Sequence, residues 1–454
     1  MMKTYERYKS SGVEWIGDIP EHWNVKKLKY NTYIKARVGW HGLKADEFSL
    51  TEGVYCVTGT NFSKGKVSWE NCYRVSEERY NEDPFIQLKE GDFLITKDGT
   101  IGKLAVVKGL TEKATLNSGV FVVRPENSEY ITDFMYWAFQ SPVFYGFVDY
   151  TSKGSTIIHL YQDTFINLPF LLPSIEEQAS IIKFLDEKAA KIDKLIVGKR
   201  GLIELLKEER SGVVNDAITR GINPHVKLKP LGIDWLGEIP EHWKVKKLKY
   251  VAEMQGGFAF NSSDYVTEGI QLIKIGNLYQ NDFLLERQPT FLPEHYLEEY
   301  KEWVVENGDI LISMTGTLGK RDYGYAIQNE KADRKFLLNQ RVSRIRFNVN
   351  ELQKEFALHI LRSNYYLDQL FILPTGTKQG NLSNEQVLSI PIIFPKSLSE
   401  QKQIVQFIEA ETGKIDATVA KIEKEIEYLR EYRTALISEV VTGKIDVRNY
   451  ADGT

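Results

Sequence analysis

Between residues 182 and 217 apolar side chains return at alternating steps of three and four. The series is Ile182, Leu185, Ala189, Ile192, Ile196, Lys199, Ile203, Leu206, Arg210, Val213 and Ala217. This is a heptad seam, and it predicts one long helix with a single apolar stripe. The same series comes back 223 residues later as Val405, Ile408, Thr412, Ile415, Val419, Ile422, Ile426, Leu429, Arg433, Leu436 and Val440. At 1.5 Å per residue, helices of about 40 residues would each run on the order of 60 Å, and two such stripes in one chain should cover each other. Each long helix follows a stretch of shorter apolar runs, so the expected pairing is antiparallel, with a globule at either end.

Those shorter runs read as strands around glycine-containing turns. GDFLITKDGTIGK (Gly91 to Lys103) is matched by GDILISMTGTLGK (Gly308 to Lys320), and LNSGVFVVR (Leu116 to Arg124) by LNQRVSRIR (Leu338 to Arg346). ITDFMYWAFQ and ELQKEFALHILRS read as helices, each followed by a polar glycine loop, TSKGST at 151–156 and PTGTKQGN at 374–381. Proline-bounded apolar strands, INLPFLLP and LSIPIIFP, then lead into the long helices. The repeat is sharpest at GVEWIGDIPEHWNVKKLKY (Gly12 to Tyr30) and GIDWLGEIPEHWKVKKLKY (Gly232 to Tyr250), identical at 14 of 19 positions. A unit this long is a domain-sized module present twice, not a solenoid repeat.

The expected fold class is α/β (α+β): two mixed α/β globules separated by two long antiparallel coiled-coil helices, in a pseudo-twofold internal repeat. The boundaries read as a tryptophan-rich clasp at 1–23, a globule at 24–170, a long helix at 171–222, a linking clasp at 223–243, a second globule at 244–392 and a second long helix at 393–446. The clasp residues Trp15, Ile19, Pro20 and Trp23, repeated as Trp235, Ile239, Pro240 and Trp243, are expected to tie the chain start to the end of the second helix near Val440. Arg210 and Arg433 occupy equivalent seam positions, where an unpaired charge costs stability. Full antiparallel overlap would set Arg210 near Glu409 and Glu411, and Arg433 near Asp186 and Glu187. Snorkelling from the helix ends is the alternative reading for both arginines.

Composition narrows the class of protein without choosing its function. With 42% hydrophobic and 26% charged residues in 454, the chain has ordinary globular composition. No run approaches the roughly 18 apolar residues of a membrane span, and the first residues lack a signal-peptide core, so the expected location is the cytoplasm. The two cysteines, Cys56 and Cys72, point to neither a disulfide framework nor a cysteine metal site. A net charge of −4 leaves a local basic face open. There is no Gly-x4-Gly-Lys-Ser/Thr phosphate loop, and no two prolines are adjacent, which excludes the Asn/Asp-Pro-Pro-aromatic motif of amino-methyltransferases. The only duplicated histidines, His22 and His242, sit between Glu and Trp in the clasp and read as packing or hydrogen-bonding residues rather than metal ligands.

Globule, long helix, globule, long helix, with GDILI-x3-GTIGK-like segments inside the globules and P-x3–4-EQ-x13-ID leading the helices, resembles the specificity subunit of type I restriction-modification systems. RVGWHGL (Arg37 to Leu43) is similar to a form common in that family's first target-recognition domain, and QGGFAFNSSDY (Gln255 to Tyr265) is its looser counterpart. The resemblance spans nearly the whole chain and rests on motif order, not on any one motif. It implies a bacterial, cytoplasmic, non-catalytic DNA-binding subunit whose two globules are target-recognition domains, each reading half of a bipartite double-stranded DNA site. It further implies that the helices space the globules and dock two methyltransferase (modification) subunits, with restriction/translocase subunits joining for cleavage. No cofactor is expected in this chain; the partner methyltransferase would use S-adenosylmethionine, and the partner nuclease ATP and magnesium. The alternatives are a two-headed protein-interaction scaffold that does not bind DNA, and an enzyme whose site is not legible. Exposed heptad surface also predicts poor solubility without partners.

Base edges are read by paired donors and acceptors, and phosphates by Lys, Arg, Ser, Thr and backbone amides. The DNA-facing candidates in the first half are Arg37, Trp40, His41, Lys97, Thr100, Lys103, Lys153, Ser155 and Thr156. In the second half they are Asn261, Thr315, Thr317, Lys320, Arg321, Asn339, Gln340, Arg341, Thr375, Thr377, Lys378 and Gln379. Asn339, Gln340 and Arg341 replace Asn117, Ser118 and Gly119, the kind of divergence inside a shared frame that two different specificities require and that loop drift also produces. The glycines of the GTIGK loops are alternatively explained by turn geometry alone, and Trp40 by core packing. The helix-pair and partner interface candidates are Ile182, Leu185, Ile192, Ile196, Ile203, Leu206, Arg210, Ile408, Ile415, Val419, Ile422, Ile426, Leu429 and Arg433.

Overall fold

The structure, a computed structural model, describes residues 3–38, 42–152, 159–230, 237–374 and 378–450. Trp40, His41, Lys153, Ser155, Thr156, Trp235, Thr375 and Thr377 lie outside the described residues. The chain divides into two compact units, residues 1–199 with 423–454, and residues 200–422. Each unit therefore takes one globule together with part of each long helix.

In the first unit, strands β1 (Asn24–Lys27), β2 (Thr32–Ala36), β3 (Phe93–Thr96), β4 (Leu104–Val106), β5 (Val120–Pro125) and β6 (Pro169–Leu172) form the frame. A sheet runs antiparallel through β2-β5-β3-β4 and continues by a parallel step into the short strand Lys66–Val67 and then Phe62–Ser63. A second sheet places Val54–Val57 parallel to Ala114–Leu116. The proline-bounded β6 returns antiparallel to β1. Helices α1 (Thr132–Ala138) and α2 (Pro142–Thr151) close the globule over Phe134, Phe139, Phe144, Phe165 and Phe170, all fully buried.

The second unit repeats this frame. Strands β7 (Lys244–Lys247), β8 (Ala252–Gly256), β9 (Ile310–Ser313), β10 (Ala326–Gln328), β11 (Val342–Phe347) and β12 (Pro391–Phe394) give the sheet order β8-β11-β9-β10 and the pair β7-β12. Its helices are α3 (Lys354–Arg362) and α4 (Asn364–Phe371). One difference is local: Thr315–Thr317 pairs as a strand with Gln379–Asn381, where the sequence pattern predicts two separate loops.

The first long helix spans Ile175–Arg220 and the second Leu398–Val441. Every seam residue except Arg210 is at least partly shielded, and Leu185, Ile192, Ile196, Ile203, Ile408, Ile422 and Ile426 are buried. In the first unit the helices cross antiparallel through Arg433 Nε–Asp193 Oδ1 at 3.1 Å and Lys199 Nζ–Glu425 Oε2 at 2.5 Å. In the second, Arg210 Nε donates to Asp416 Oδ1 at 2.9 Å. The partners expected for the two arginines are thus corrected by roughly one and a half to two turns. The acids expected as partners of Arg433 are taken elsewhere: Trp137 Nε1 of the globule donates to Asp186 Oδ1 at 2.9 Å, and Lys191, one turn along the same helix, holds Glu187 at 2.5 Å.

The clasp expectation holds in half. Trp23, fully buried, and Pro20 lie against Gly443 just past the second long helix, where a Cβ would come within 2.3 Å of Pro20. Trp15 instead covers α2, its ring centroid 5.0 Å from that of Tyr150, because Gly146 leaves a gap there that only a side chain from outside can fill.

Candidate nucleic-acid interface

Several repeated motifs turn out to be fasteners that leave other residues free for the surface. The Asp of each GD motif is buried and binds the Arg that ends the following motif: Arg124 Nε to Asp92 Oδ1 at 2.6 Å, and Arg346 Nε to Asp309 Oδ1 at 2.8 Å. The same carboxylates accept a backbone N–H three residues upstream, from Lys89 at 2.7 Å and Glu306 at 2.9 Å. The Gln of each EQ motif caps a short helix. Gln178 Oε1 accepts from Ile131 N, and Gln401 Oε1 from Gln353 N, each at 2.8 Å. The amide nitrogens donate to Glu129 O and Pro173 O in the first unit and to Glu351 O and Pro395 O in the second. The neighbouring Glu holds the clasp: His22 and His242 each reach a carboxylate, of Glu177 and Glu400, at 2.9 Å. Among the described residues no three His, Cys, Asp or Glu side chains converge on a point that could hold a metal ion, and no helix is long and apolar enough to cross a membrane.

With the frame fixed, one set of loop ends meets at the end of β3. Lys97 N donates to Gly119 O at 2.9 Å, joining the GTIGK loop to the Asn117–Gly119 turn. Leu160 N donates to Lys97 O at 3.1 Å, bringing in the segment after the second polar loop. Inside the loop, Thr96 Oγ1 donates to Thr100 O at 2.5 Å and accepts from Lys103 N at 2.9 Å, while Gly99 and Gly102 take positive φ. Thr100 and Lys103 are exposed. Lys97 is partly covered and paired with Asp98 at 3.2 Å, and His159 Nδ1 lies 3.0 Å from the same carboxylate. Burial works to raise the Asp98 pKa, but the hydrogen bonds from His159 and Lys97 outweigh it and leave the group below the usual carboxylate range.

The second unit builds the corresponding cluster at the end of β9. Met314 N donates to Arg341 O at 3.0 Å, and Leu318 N to Lys378 O at 3.2 Å. Gln340 N donates to Phe258 O at 3.0 Å, which ties the turn to the segment leading to Asn261. Gly257 permits that approach, since a Cβ there would stand 2.1 Å from Asn339 O. Thr317, Lys320, Arg321, Gln340, Arg341, Lys378 and Gln379 are exposed and Asn339 is half-buried. Asn261 is exposed and caps a short 3-10 turn through Ser263 N at 3.3 Å. Arg321 is tied to Asp368 and lies 5.2 Å from the Phe371 ring centroid.

Two candidates do not stand on this surface. Arg37 is buried at 2% exposure, with Nε bonded to Leu116 O at 2.9 Å and Nη2 to Thr115 Oγ1 at 3.2 Å. It ties the end of β2 to the strand Ala114–Leu116 from inside. Thr315 is likewise buried and donates to Asn381 Oδ1 at 3.0 Å. Sequence reasoning also missed the acids threaded among the basic loops. Asp98 stands in plain view inside the GTIGK segment, whereas Asp368 is 47 residues from Arg321 and His159 is 61 from Asp98, so neither pairing has a local signal.

A two-globule protein whose repeated frames carry matching clusters of diverged polar loops is thereby defined. The family model described as type I restriction modification DNA specificity domain matches residues 44–204 and 240–428, and the chain belongs to that family. It is 29% identical to the type I restriction enzyme MjaVIII specificity subunit of Methanocaldococcus jannaschii over 95% of both chains. It is 28% identical to the EcoBI specificity subunit of Escherichia coli over 47% of this chain and 41% of that one. Among solved structures, a chain from work on complex assembly and conformational transition of the type I R-M system superposes with a TM-score of 0.68 at 14% identity, covering 94% of this chain and 99% of that one. The HsdS subunit from Thermoanaerobacter tengcongensis superposes at 0.52 and 15% identity, covering 94% and 98%.

Proposed function

We propose that this chain is the DNA sequence-specificity subunit of a type I restriction-modification complex, non-catalytic in itself, with each globule reading one half of a bipartite site. The observation that carries the reading is the contrast between the two loop clusters. Both use the same hydrogen bond to hold the turn, Lys97 N to Gly119 O and Met314 N to Arg341 O, yet the turns bear Asn117-Ser118-Gly119 in one unit and Asn339-Gln340-Arg341 in the other. Gln and Arg offer the paired donors and acceptors that discriminate adenine and guanine, whereas Ser and Gly do not. Thr100, Lys103, Thr317, Lys320 and Lys378 suit phosphates, which set register and salt-dependent affinity.

The partners follow from the long helices. Leu195, Val197, Leu202 and Leu205 on the first, and Phe407, Tyr428 and Tyr432 on the second, are 40–66% exposed. Apolar side chains of this size on a helix surface suit cover by another protein, and two methyltransferase subunits using S-adenosylmethionine are the partners that fit the family. Restriction/translocase subunits using ATP and magnesium would complete the nuclease.

A whole-genome methylation map of cells expressing the chain with its methyltransferase, against cells lacking the chain alone, tests this. A split motif that disappears without the chain is expected, and exchange of residues 244–392 for those of a relative should change one half of it. An unchanged map would refute the DNA-reading assignment.

A further inference from the structure

In the second unit, a recess of about 420 Å³ lies where both long helices meet α3, α4 and the turn at Gln280 to Asp282. Arg210, Asn215, Asn281, Asp282, His359 and Arg362 are among its lining residues. Arg362 is held in place by carbonyl oxygens rather than carboxylates: Nε donates to Ala326 O at 2.8 Å and Nη2 to Asn281 O at 3.1 Å. Arg210 donates from Nε to Asp416, and Asn215 Oδ1 accepts from Asn364 N, the first residue of α4, at 2.9 Å. Two guanidinium groups and the start of a helix thus face one space, with Asp282 the acid in its lining. Burial first, and then the charges of Arg362 and Arg210, push the His359 imidazole down to about 4.

The first unit provides an internal control. The capping serines Ser141 and Ser363 and the helix-capping Gln178 and Gln401 align the two frames residue by residue, setting Trp137 opposite His359 and Gln140 opposite Arg362. There the indole is buried, and Arg433, the equivalent of Arg210, lies 5.8 Å from its ring centroid. The fold stands with an aromatic ring at this position, so the basic, open lining of the second unit is not a requirement of the frame.

We propose that the recess binds a phosphate group, gripped by the Arg210 and Arg362 guanidiniums with the side chain of Asn215 beside them. Planar guanidinium forks match tetrahedral oxyanions, and an anion would offset the mutual repulsion of the two arginines. The group could come from free inorganic phosphate or from a nucleic-acid backbone. The first source needs nothing from the DNA-reading assignment.

The test titrates inorganic phosphate into the full chain at constant ionic strength, with chloride as the balancing anion. Phosphate should raise the thermal midpoint and shift the His359 ring signals in NMR. Arg362→Gln should abolish both effects and His359→Trp the thermal one, each importing the residue of the first unit, while Arg7→Gln, at an exposed pair far along the sequence, should change neither. If free phosphate has no effect, the backbone source requires that Arg362→Gln lower the slope of log K against log salt for DNA binding by about one, with the recognised motif unchanged. Absence of both effects, or the same phosphate response in both recess variants, overturns the proposal.

Discussion

Individual side chains divide into those that hold the frame and those left over. Gln178 and Gln401 each satisfy a helix-capping amide and two carbonyls of the surrounding backbone. Gln401→Ala should cost about 1–3 kcal/mol for the groups left unpaired, seen as a lower urea midpoint with unchanged slope; a shift below a few tenths would contradict the capping role. The EQ pair stands out in the sequence because it occurs twice, but apart from the nearby carbonyls of Pro173 and Pro395 the partners of its Gln lie 47–50 residues away and are set by the fold. His359 gives a pH signature. Unfolded histidine titrates near 6.5, while the folded group stays neutral down to about 4, so the unfolded chain takes up the proton first. Stability should therefore fall as pH drops from about 6.5 toward 4. Arg210 and Arg362 oppose that protonation, while Asp282 and Asp416 face the same region from neighbouring elements. A His359→Gln variant should flatten this part of a Tm–pH profile, and an unaltered profile would count against the depressed pKa.

At the scale of elements, the long helices show what a heptad pattern does and does not encode. The seam was readable because apolar residues at steps of three and four form one stripe whatever they cover. The register was not, since heptads match equally well after a slide of one repeat and the choice falls to contacts outside the seam, such as Trp137 with Asp186. The charged pairs are weak determinants. The Arg210 and Asp416 side chains are 45% and 55% exposed, so Arg210→Leu should change stability by less than about 1 kcal/mol. Ile408, fully buried, should cost about 2–5 kcal/mol when cut to Ala. Chemical denaturation of both variants checks the ranking, and an Arg210→Leu loss equal to that of Ile408→Ala would restore the ion pair as the register lock. Arg37 and Thr315 are the element-scale surprises: each is a polar residue in a glycine-containing, loop-like stretch, but Thr315 is turned inward by pairing with Gln379–Asn381, and Arg37, just past β2, is held inside by Leu116 O and Thr115 Oγ1.

Across the whole molecule, each compact unit draws on both halves of the repeat. The first unit includes residues 423–454, the last part of the second long helix with the C-terminal segment beyond it, and Leu436, Ile437, Val440 and Val441 are buried there. A fragment ending near residue 230 would leave the apolar surface that these residues cover open. The seams of the two helices are equivalent position for position, so a second copy of the fragment should supply the missing helix. Residues 1–230 should sediment as a dimer with the helix content of the intact chain, whereas a stable monomer would show that the unit does not need its partner helix.

The sequence by itself determined the duplication, the two seams, the order of strands and helices and the family, because these depend on periodicity and on motif order, which are properties of a single dimension. Only the tertiary structure decided the helix register, the inward turn of Arg37 and Thr315, the pairing of Arg321 with Asp368 and of His159 with Asp98, and the basic recess around Arg362. Each of these depends on which residues meet across tens to hundreds of positions, and that is set by the packing of the whole frame rather than by any local pattern.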